Sequence, residues 1–254
     1  MKRYSFLVLT MSLWVLDKEE IWFPYRNEMD GDIVAVGGDL HWQRVMKGFE
    51  KSCFPLFSES EEIKWWSPEM RAVFFPHLHP GFDKELSKVR NQGVTFHWDL
   101  DFNRTMKHCS RHGISTNPWL HPSTISMFNE LHAQGFAHSL EVYQDGKLIG
   151  GLMGVALGRV FYGLSMFRIK SNGSKWALMF LIQFLKQKKW KLLDAQQMTP
   201  FLSKMGAQEI HREKFLDKML EMYRFRTPRG NWSDSISWRC KDAFPKNLEM
   251  PVSR

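Results

Sequence analysis

The residues best suited to chemistry follow a short apolar segment, in the sequence Asp194-Ala195-Gln196. Two residues apart on an extended chain, the carboxylate of Asp194 and the carboxamide of Gln196 are predicted to point to the same face. This pair suits acyl transfer to an amine. A carboxylate can orient an α-amino group, whose pKa is ordinarily about 7.7 to 8.0, and accept its proton. An amide can fix the nucleophile or bind a developing oxyanion.

The same two side chains could instead satisfy backbone groups where a strand meets a loop, so the spacing alone leaves both interpretations open. The competing chemistries have weaker support. His108 and His112 could share a helix face, but the pair lacks the Glu of a His-Glu-x-x-His motif and has no evident third ligand. Gly-x-Ser-x-Gly is absent as well. We therefore expect neither a bound metal nor a serine nucleophile.

Trp119 is the aromatic residue that packing explains least readily. It follows Asn117-Pro118 in a segment that favours turns. An exposed ring there could stack on a nucleic-acid base, which is worth about 1 to 3 kcal/mol. Burial in the core is the ordinary alternative for a tryptophan, and the sequence alone favours it.

A β-β-β-α-β order is predicted to position these residues. The predicted elements are strands at Ser139–Tyr143, Leu148–Leu157 and Val160–Phe167, a helix with its apolar body at Trp176–Leu185, and a strand at Trp190–Asp194. Tight turns make the first three strands an antiparallel meander. The segment Ser171-Asn172-Gly173-Ser174 is predicted to cap the helix. The order resembles the core of the GNAT acyltransferase superfamily, which implies an α+β fold with a GNAT-like core.

The flanking segments indicate three units. Residues 1–68 are predicted to form a small N-terminal mixed α/β domain, with a helix at about Trp42–Lys51. Residues 69–226 form the GNAT-like domain, with a further helix at about Ser123–Gln134. The tail at 227–254 is expected to pack loosely.

Composition limits the possible partners and the compartment. The 254 residues are 43% hydrophobic and 14% aromatic, which predicts a folded chain, and the net charge of +8 favours an anionic partner. Cys53, Cys109 and Cys240 are too few and too scattered for a disulfide framework, which favours a reducing compartment. The apolar run from Tyr4 to Leu16 lacks a small-residue cleavage pattern and is too short for a bilayer. We expect a cytoplasmic protein with no membrane association.

Ordered motifs over roughly residues 20 to 220 are shared with a known family. They are Phe23-Pro24, Val34-Ala35-Val36-Gly37-Gly38-Asp39-Leu40, Phe54-Pro55, Trp65-Trp66-Ser67-Pro68, Arg71-Ala72-Val73, Gly135-Phe136-Ala137-His138-Ser139, Gly150-Gly151, Gly154-Val155-Ala156, Ser165-Met166-Phe167, Ser174-Lys175, Asp194-x-Gln196 and Gly206-Ala207-x-Glu209-Ile210. In this order they resemble the leucyl/phenylalanyl-tRNA–protein transferase family, which attaches leucine or phenylalanine to proteins that begin with arginine or lysine.

The resemblance implies an aminoacyl-tRNA donor, an acceptor protein with N-terminal Arg or Lys, and no acetyl-CoA, metal or other cofactor. It implies that Asp194 and Gln196 belong to the catalytic centre and that Trp119 holds the terminal adenosine. Substrate binding is expected at Ser165 and at an apolar pocket of Phe161, Met166 and Leu178. Burying a leucine or phenylalanine side chain there is worth about 1.5 to 3 kcal/mol, which also favours methionine over small or charged residues. A monomer is expected.

Three positions depart from the family pattern. Leu164 stands where a glutamate is expected in Gly-Glu-Ser-Met-Phe, Leu56 stands where a tryptophan follows Phe-Pro, and Ala195 replaces a cysteine. The loss of the carboxylate at 164 supports an alternative, a homologue that binds tRNA or basic N-termini without catalysing transfer. A CoA-dependent acetyltransferase is a third hypothesis, but its pyrophosphate loop is matched only partly by residues 170–175.

Overall fold

The computed structural model describes residues 3–5, 12–111, 119–233 and 237–238. His112, Pro118, Cys240 and part of the N-terminal apolar run lie outside these residues, so the predictions made for them are not addressed by the fold. Within the described part of the chain, two β-sheets are packed with helices. This architecture confirms the predicted α+β class.

The first sheet has the strand order β1-β2-β3-β5-β4. Its strands are β1 Arg3–Ser5, β2 Ser12–Leu16, β3 Ile33–Gly37, β4 Phe54–Pro55 and β5 Lys64–Trp66. The second sheet has the order β12-β6-β11-β10-β9-β8-β7-β13. Its strands are β6 Met70–Phe74, β7 Val94–Trp98, β8 Ala137–Gln144, β9 Lys147–Leu157, β10 Val160–Arg168, β11 Leu192–Gln196, β12 Gln208–His211 and β13 Ser237–Trp238. Along the chain, the predicted domain boundary at 68/69 lies between β5, the last strand of the first sheet, and β6, the first strand of the second.

Helices connect and cover the strands. They are α1 Trp42–Glu50, α2 Asp83–Arg90, α3 Phe102–Arg111, α4 Pro122–Ala133, α5 Gly173–Gln187, α6 Pro200–Lys204 and α7 Arg212–Met222. The helices predicted near residues 42 and 123 and the long apolar helix are therefore confirmed as α1, α4 and α5.

The predicted β-β-β-α-β core is present. Strands β8, β9 and β10 form the antiparallel meander, α5 follows, and β11 returns parallel to β10. The last strand begins at Leu192, two residues later than predicted, and extends to Gln196. This topology agrees with the GNAT-like core expected from the sequence.

The start of α5 differs from the prediction of a polar cap. Asn172 occupies the N-cap position in the left-handed conformation, with φ of 68°, and its side chain makes no capping hydrogen bond. The helix instead begins in direct contact with β9. A Cβ atom on Gly173 would lie 2.1 Å from the carbonyl oxygen of Ile149, so only glycine allows this close approach. Backbone packing therefore positions the helix start.

The second sheet is buried on both faces. One face packs with the first sheet, α1, α3, α4 and α7, and its core includes Trp65, Phe128 and Tyr162. The other face packs with α2 and α5, and its core includes Phe161 and Phe180. We call these the first core and the second core. Burial on both faces explains why the central strands are almost continuously apolar.

Buried polar side chains join the two sheets. Arg212 of α7 donates hydrogen bonds to the carbonyl oxygens of Gly31, Ser67 and Met29, the last at 2.9 Å. A buried guanidinium with three carbonyl partners keeps its donors satisfied. The N-terminal sheet is thus held to the larger domain by directional contacts as well as by apolar packing.

The segment after Arg226 was expected to pack loosely, and for residues 227–233 this expectation is wrong. Trp232 is only 2% exposed, and its ring stacks on His138 with centroids 3.8 Å apart. Its backbone N–H donates to Asp99 Oδ2 at 2.9 Å. Upstream, Thr227 Oγ1 accepts a hydrogen bond from the Gly158 N–H at 2.7 Å. A large ring that completes the second core, together with paired backbone groups, fixes this segment.

We predict that Trp232→Ala lowers the free energy of unfolding by about 3 to 5 kcal/mol, as expected when a buried aromatic side chain is truncated and leaves a cavity. Urea unfolding of the purified protein measures this change. Tyr25→Ala is the matched control, because Tyr25 is 68% exposed and its loss should shift the midpoint little. Equal shifts in the two variants would show that the C-terminal segment is not part of the core.

Candidate active site

Asp194 lies on β11 between β10 and β6 and is completely buried. Arg71, from β6, holds its carboxylate at both oxygens: Nε donates to Oδ1 at 3.2 Å and Nη2 donates to Oδ2. The backbone N–H of Gln196 donates to Oδ1 at 2.8 Å. Both carboxylate oxygens are therefore occupied by protein donors.

Arg71 is itself enclosed. Its Nη1 donates to the carbonyl oxygen of Ser52 at 3.2 Å, and its guanidinium carbon lies 5.1 Å and 4.6 Å from the ring centroids of Phe54 and Phe215. The aromatic faces are attractive to a cation, and the planar guanidinium suits the bidentate contact with a carboxylate. Arg71 thus links the N-terminal domain, β6 and β11 at one point.

Gln196 does not continue an extended strand. Its φ is 63°, in the left-handed region, and the ladder shifts register between Asp194 and Gln196. Asp194 pairs with Val73 and Gln196 pairs with Ala72, which are adjacent residues of β6. The prediction that both side chains share a face by simple alternation is therefore wrong, because Ala195 is an extra residue that forms a β-bulge.

A second irregularity lies directly opposite on β10. Its ladder with β9 shifts register between Gly163 and Ser165. The parallel pairing of β10 with β11 ends at Tyr162 and Asp194. Beyond this pair, no further pairing joins β10 to β11 among the residues that the structure describes. We call this place, where Leu164 and Gln196 follow the last pair, the strand opening.

The Gln196 side chain lies at the strand opening. It is half-buried, and among the residues that the structure describes none forms a hydrogen bond to its carboxamide. A carboxamide offers two N–H donors and one acceptor oxygen. Gln196 therefore presents hydrogen-bonding groups for a substrate, whereas the Asp194 carboxylate is enclosed beneath it.

The three predicted pocket residues are brought together in the second core. Phe161 is 0% exposed and Leu178 is 3% exposed, and the half-buried Met166 packs against the same cluster. Phe161 and Met166 are five residues apart on β10, so regular alternation would put them on opposite faces. The bulge between Gly163 and Ser165 restores Met166 to the side of Phe161. Their role in binding substrate stays a prediction.

Ser165 lies near the other face, beside α3. Burial raises the pKa of the Cys109 thiol to about 12, and the nearby Ser165 hydroxyl opposes the increase. Burial likewise raises the pKa of Cys53 to about 12. Both thiols are free and protonated at neutral pH. Neither is poised to act as a nucleophile.

Trp119 is half-buried before α4. Its ring meets Phe128 edge to face, with centroids 5.8 Å apart and an interplanar angle of 81°. Its carbonyl oxygen accepts a hydrogen bond from Thr124 Oγ1 at 2.7 Å. Part of the ring packs on the first core, as does Leu56. Adenosine binding by Trp119 stays a prediction.

Sequence reasoning did not assign a role to Arg71 or to the tyrosines near it. The hydroxyls of Tyr162 and Tyr223 contact each other, and each also donates to the carbonyl oxygen of Phe49, at 3.2 Å and 2.8 Å. Burial raises the pKa of Tyr223 well above its ordinary value. One feature of the sequence could have identified Arg71: it is a charged residue within an otherwise apolar segment, next to Ala72. Such residues are rarely buried unless paired.

The described ranges contain neither a metal-binding cluster nor a membrane-spanning helix. No group of three or more His, Cys, Asp or Glu side chains could hold a metal ion there. No helix in the same ranges is long and apolar enough to cross a membrane. His108, one of the two histidines considered as metal ligands from the sequence, stacks its ring on Phe167 with centroids 4.8 Å apart.

The meander, the helix that starts against β9, and the parallel strand that separates from β10 at a bulge define an α+β protein with a GNAT-like acyltransferase core. The family model described as leucyl/phenylalanyl-tRNA protein transferase matches residues 73–220, and the model of that family's N-terminal domain matches residues 38–69. The chain belongs to the leucyl/phenylalanyl-tRNA–protein transferase family.

Individual relatives agree with this assignment. The leucyl/phenylalanyl-tRNA–protein transferase of Desulfatibacillum aliphaticivorans is 40% identical over 223 residues, which cover 85% of this chain and 94% of that protein. The transferase of the same name from Syntrophobacter fumaroxidans is 39% identical over 208 residues, 80% of this chain and 88% of that protein. Similarity to solved structures is weak. The C-terminal domain of a putative lysylphosphatidylglycerol synthetase from Agrobacterium fabrum aligns at 10% identity over 75% of this chain and 60% of that chain, with a TM-score of 0.39.

We predict that Arg71→Met lowers the free energy of unfolding by about 3 to 5 kcal/mol, because it leaves the buried Asp194 carboxylate unpaired. The double variant Arg71→Met/Asp194→Leu should recover most of this loss, since it removes both charges. Urea unfolding measures both variants.

Lys64→Met is the matched surface control, because it breaks the exposed ion pair with Glu61 and should leave the unfolding midpoint nearly unchanged. A cost for Arg71→Met no larger than that of Lys64→Met would contradict the central position of the buried pair.

Proposed function

We propose that the protein transfers leucine or phenylalanine, with methionine as a further substrate, from charged tRNA to the α-amino group of proteins that begin with arginine or lysine. The observation that carries the proposal is membership of the family, with 40% identity to a named transferase over 94% of its length. The net charge of +8 suits a tRNA donor. In this proposal the protein acts as a monomer in the cytoplasm, where the modified proteins are marked for degradation.

The proposed reaction is an aminolysis. The α-amino nitrogen of the acceptor attacks the carbonyl carbon of the aminoacyl ester, so a C–N bond forms and the C–O bond to the terminal ribose breaks. The proton lost from the amine is balanced by the proton gained by the ribose oxygen. The transition state places negative charge on the carbonyl oxygen, and donors positioned there stabilise it.

Gln196 is the residue proposed to contact the reacting groups. Its carboxamide is unpaired among the described residues and lies at the strand opening, where it can donate to the developing oxyanion or accept a hydrogen bond from the amine. Asp194 acts as a positioning residue. Its Oδ1 accepts the Gln196 backbone N–H and thereby holds the left-handed turn that orients the carboxamide. This assignment differs from the sequence-based expectation of proton transfer to Asp194, because Arg71 already occupies both of its oxygens.

Leu164 lies in the bulge of β10, half-buried against the first core. An alkyl group there cannot accept a proton or attract an ammonium, so the acceptor amine must be deprotonated by water or by the leaving oxygen. An α-amino group with a pKa of about 8 is partly neutral at pH 7, so transfer without a protein base is chemically reasonable. Both relatives named above are called transferases, and neither favours the non-catalytic alternative.

Phe161, Met166 and Leu178 are the proposed apolar contacts of the transferred side chain. They share the second core, next to the strand opening. Because two of them are almost completely buried, a substrate side chain must displace part of that packing to enter. The need to displace packed side chains favours substrates with flexible or flat apolar groups. The flexible side chain of Met166 can repack around a substrate of either shape.

We predict that Gln196→Asn lowers kcat for transfer from leucyl-tRNA to an Arg-initiated peptide by at least about a hundredfold, the usual cost of a misplaced oxyanion donor. Asparagine tolerates the positive φ and keeps the carboxamide, but withdraws it by one methylene. The adjacent, exposed Gln197 provides the control, because Gln197→Asn makes the same chemical change outside the opening. A folded wild-type protein that transfers nothing would refute the proposed function, whereas equal rates in the two variants would refute only the role of Gln196.

We predict that Leu164→Glu has a kcat at least about tenfold above that of Leu164→Gln, because the carboxylate can accept the proton of the attacking amine and the nearly isosteric amide cannot. Steady-state transfer assays at saturating leucyl-tRNA measure kcat for both variants. Indistinguishable rates would mean that a carboxylate at this position has no part in the reaction.

A further inference from the structure

Helix α3 carries a basic stripe. Residues at positions i, i+3, i+4 and i+7 of a helix lie on one face. The stripe consists of Arg104, Lys107, His108 and Arg111. The opposite face is apolar and buried: Phe102 and Cys109 are each 4% exposed and Met106 is 0% exposed. The helix is therefore fixed against the sheet and presents Arg104 and Lys107 outward, whereas His108 is half-buried against Phe167. For Arg111 the structure gives only the helical position.

Arg104 and Lys107 are exposed, and neither forms an ion pair with any carboxylate in the part of the chain that the structure describes. Some cations elsewhere are paired with carboxylates. Arg26 pairs with Glu213 and Asp217, and Lys47 pairs with Glu50. The helix α2 is also mixed, with acidic residues in its first turn. The charges of Arg104 and Lys107 are thus available to an external anion.

The stripe leads toward the strand opening. Near the start of α3, Thr105 Oγ1 donates to Glu141 Oε1 of β8 at 3.0 Å. One turn later the helix packs on β10, where the His108 ring stacks on Phe167. The helix therefore crosses the sheet from β8 to β10. Its C-terminal half lies against the strand that borders the strand opening, next to Leu164.

We propose that the α3 stripe binds the ribose–phosphate backbone of the donor tRNA near its acceptor end. The inference rests on the proposed function and names a surface that delivers the donor to that site. The stripe spans seven residue steps, about 10 Å along the helix, which allows contact with more than one phosphate. Binding releases counterions from the RNA, so the contribution of each cation appears as a dependence of affinity on salt.

The test compares two double variants with the same charge change. Arg104→Gln/Lys107→Gln removes two cations of the stripe and keeps good helix formers. Lys189→Gln/Lys191→Gln removes two exposed cations at the start of β11, the end of that strand away from Gln196. The probe is an uncharged RNA minihelix that carries an acceptor stem and a single-stranded 3′ end. Fluorescence anisotropy gives Kd over a series of salt concentrations, and transfer assays give KM and kcat for leucyl-tRNA.

We expect the α3 double variant to raise Kd for the minihelix about tenfold or more at low salt and to reduce the slope of log K against log salt by about 1 to 2. KM for leucyl-tRNA should rise with kcat nearly unchanged, and the control variant should behave as wild type in both assays. Equal salt slopes in the two double variants would overturn the proposal, as would a loss confined to kcat. Arg104→Gln and Lys107→Gln are also measured singly, so a folding defect in the double variant would not obscure the result. Both contradicting outcomes are distinguishable from failure of the proposed function, because in that case the wild-type protein itself transfers nothing.

Discussion

The buried pair of Arg71 and Asp194 is the interaction on which the rest of the site depends. Both side chains are fully enclosed, so each charge is stable only because the other is present and the remaining hydrogen-bonding groups are satisfied. The pair joins β6 to β11, reaches Ser52 of the N-terminal domain, and supports the turn at Gln196. One electrostatic contact thereby couples the docking of the two domains to the orientation of the carboxamide proposed to meet the substrate.

The two bulges lie where the pairing of β10 with β11 ends, and they form the strand opening next to the buried pair. Strands β10 and β11 are paired up to Tyr162 and Asp194, and each becomes irregular directly afterwards. The irregular backbone lies beside a well-packed core, and β-bulges are found repeatedly next to active sites. The charged pair is fully buried, whereas Gln196 is half-buried and lies at the strand opening. The buried charges thus position the site, and a neutral amide is the group proposed to contact the reacting atoms.

Regular features of the fold were predictable from the sequence, and the decisive details of the site were not. The apolar alternation and tight turns predicted the meander, and the apolar run predicted α5, because both patterns have a fixed period. A bulge such as the one at Ala195 leaves no periodic pattern in the sequence. Regular alternation therefore wrongly predicts that Asp194 and Gln196 point to the same face. The pairing of Arg71 with Asp194 spans 123 positions and could not be inferred from spacing. The firm packing of Trp232 was missed because its partners, such as His138, are also distant in sequence.

The most direct test of the central claim is a structure of the protein bound to a non-hydrolysable 3′-amide analogue of leucyl-adenosine. The account predicts that the Gln196 carboxamide lies within hydrogen-bond distance of the leucyl carbonyl or amino group, about 3.2 Å or less, while Asp194 remains paired with Arg71. A bound analogue whose carbonyl contacts the Asp194 carboxylate directly, with the Arg71 pair broken and Gln196 turned away, would contradict it.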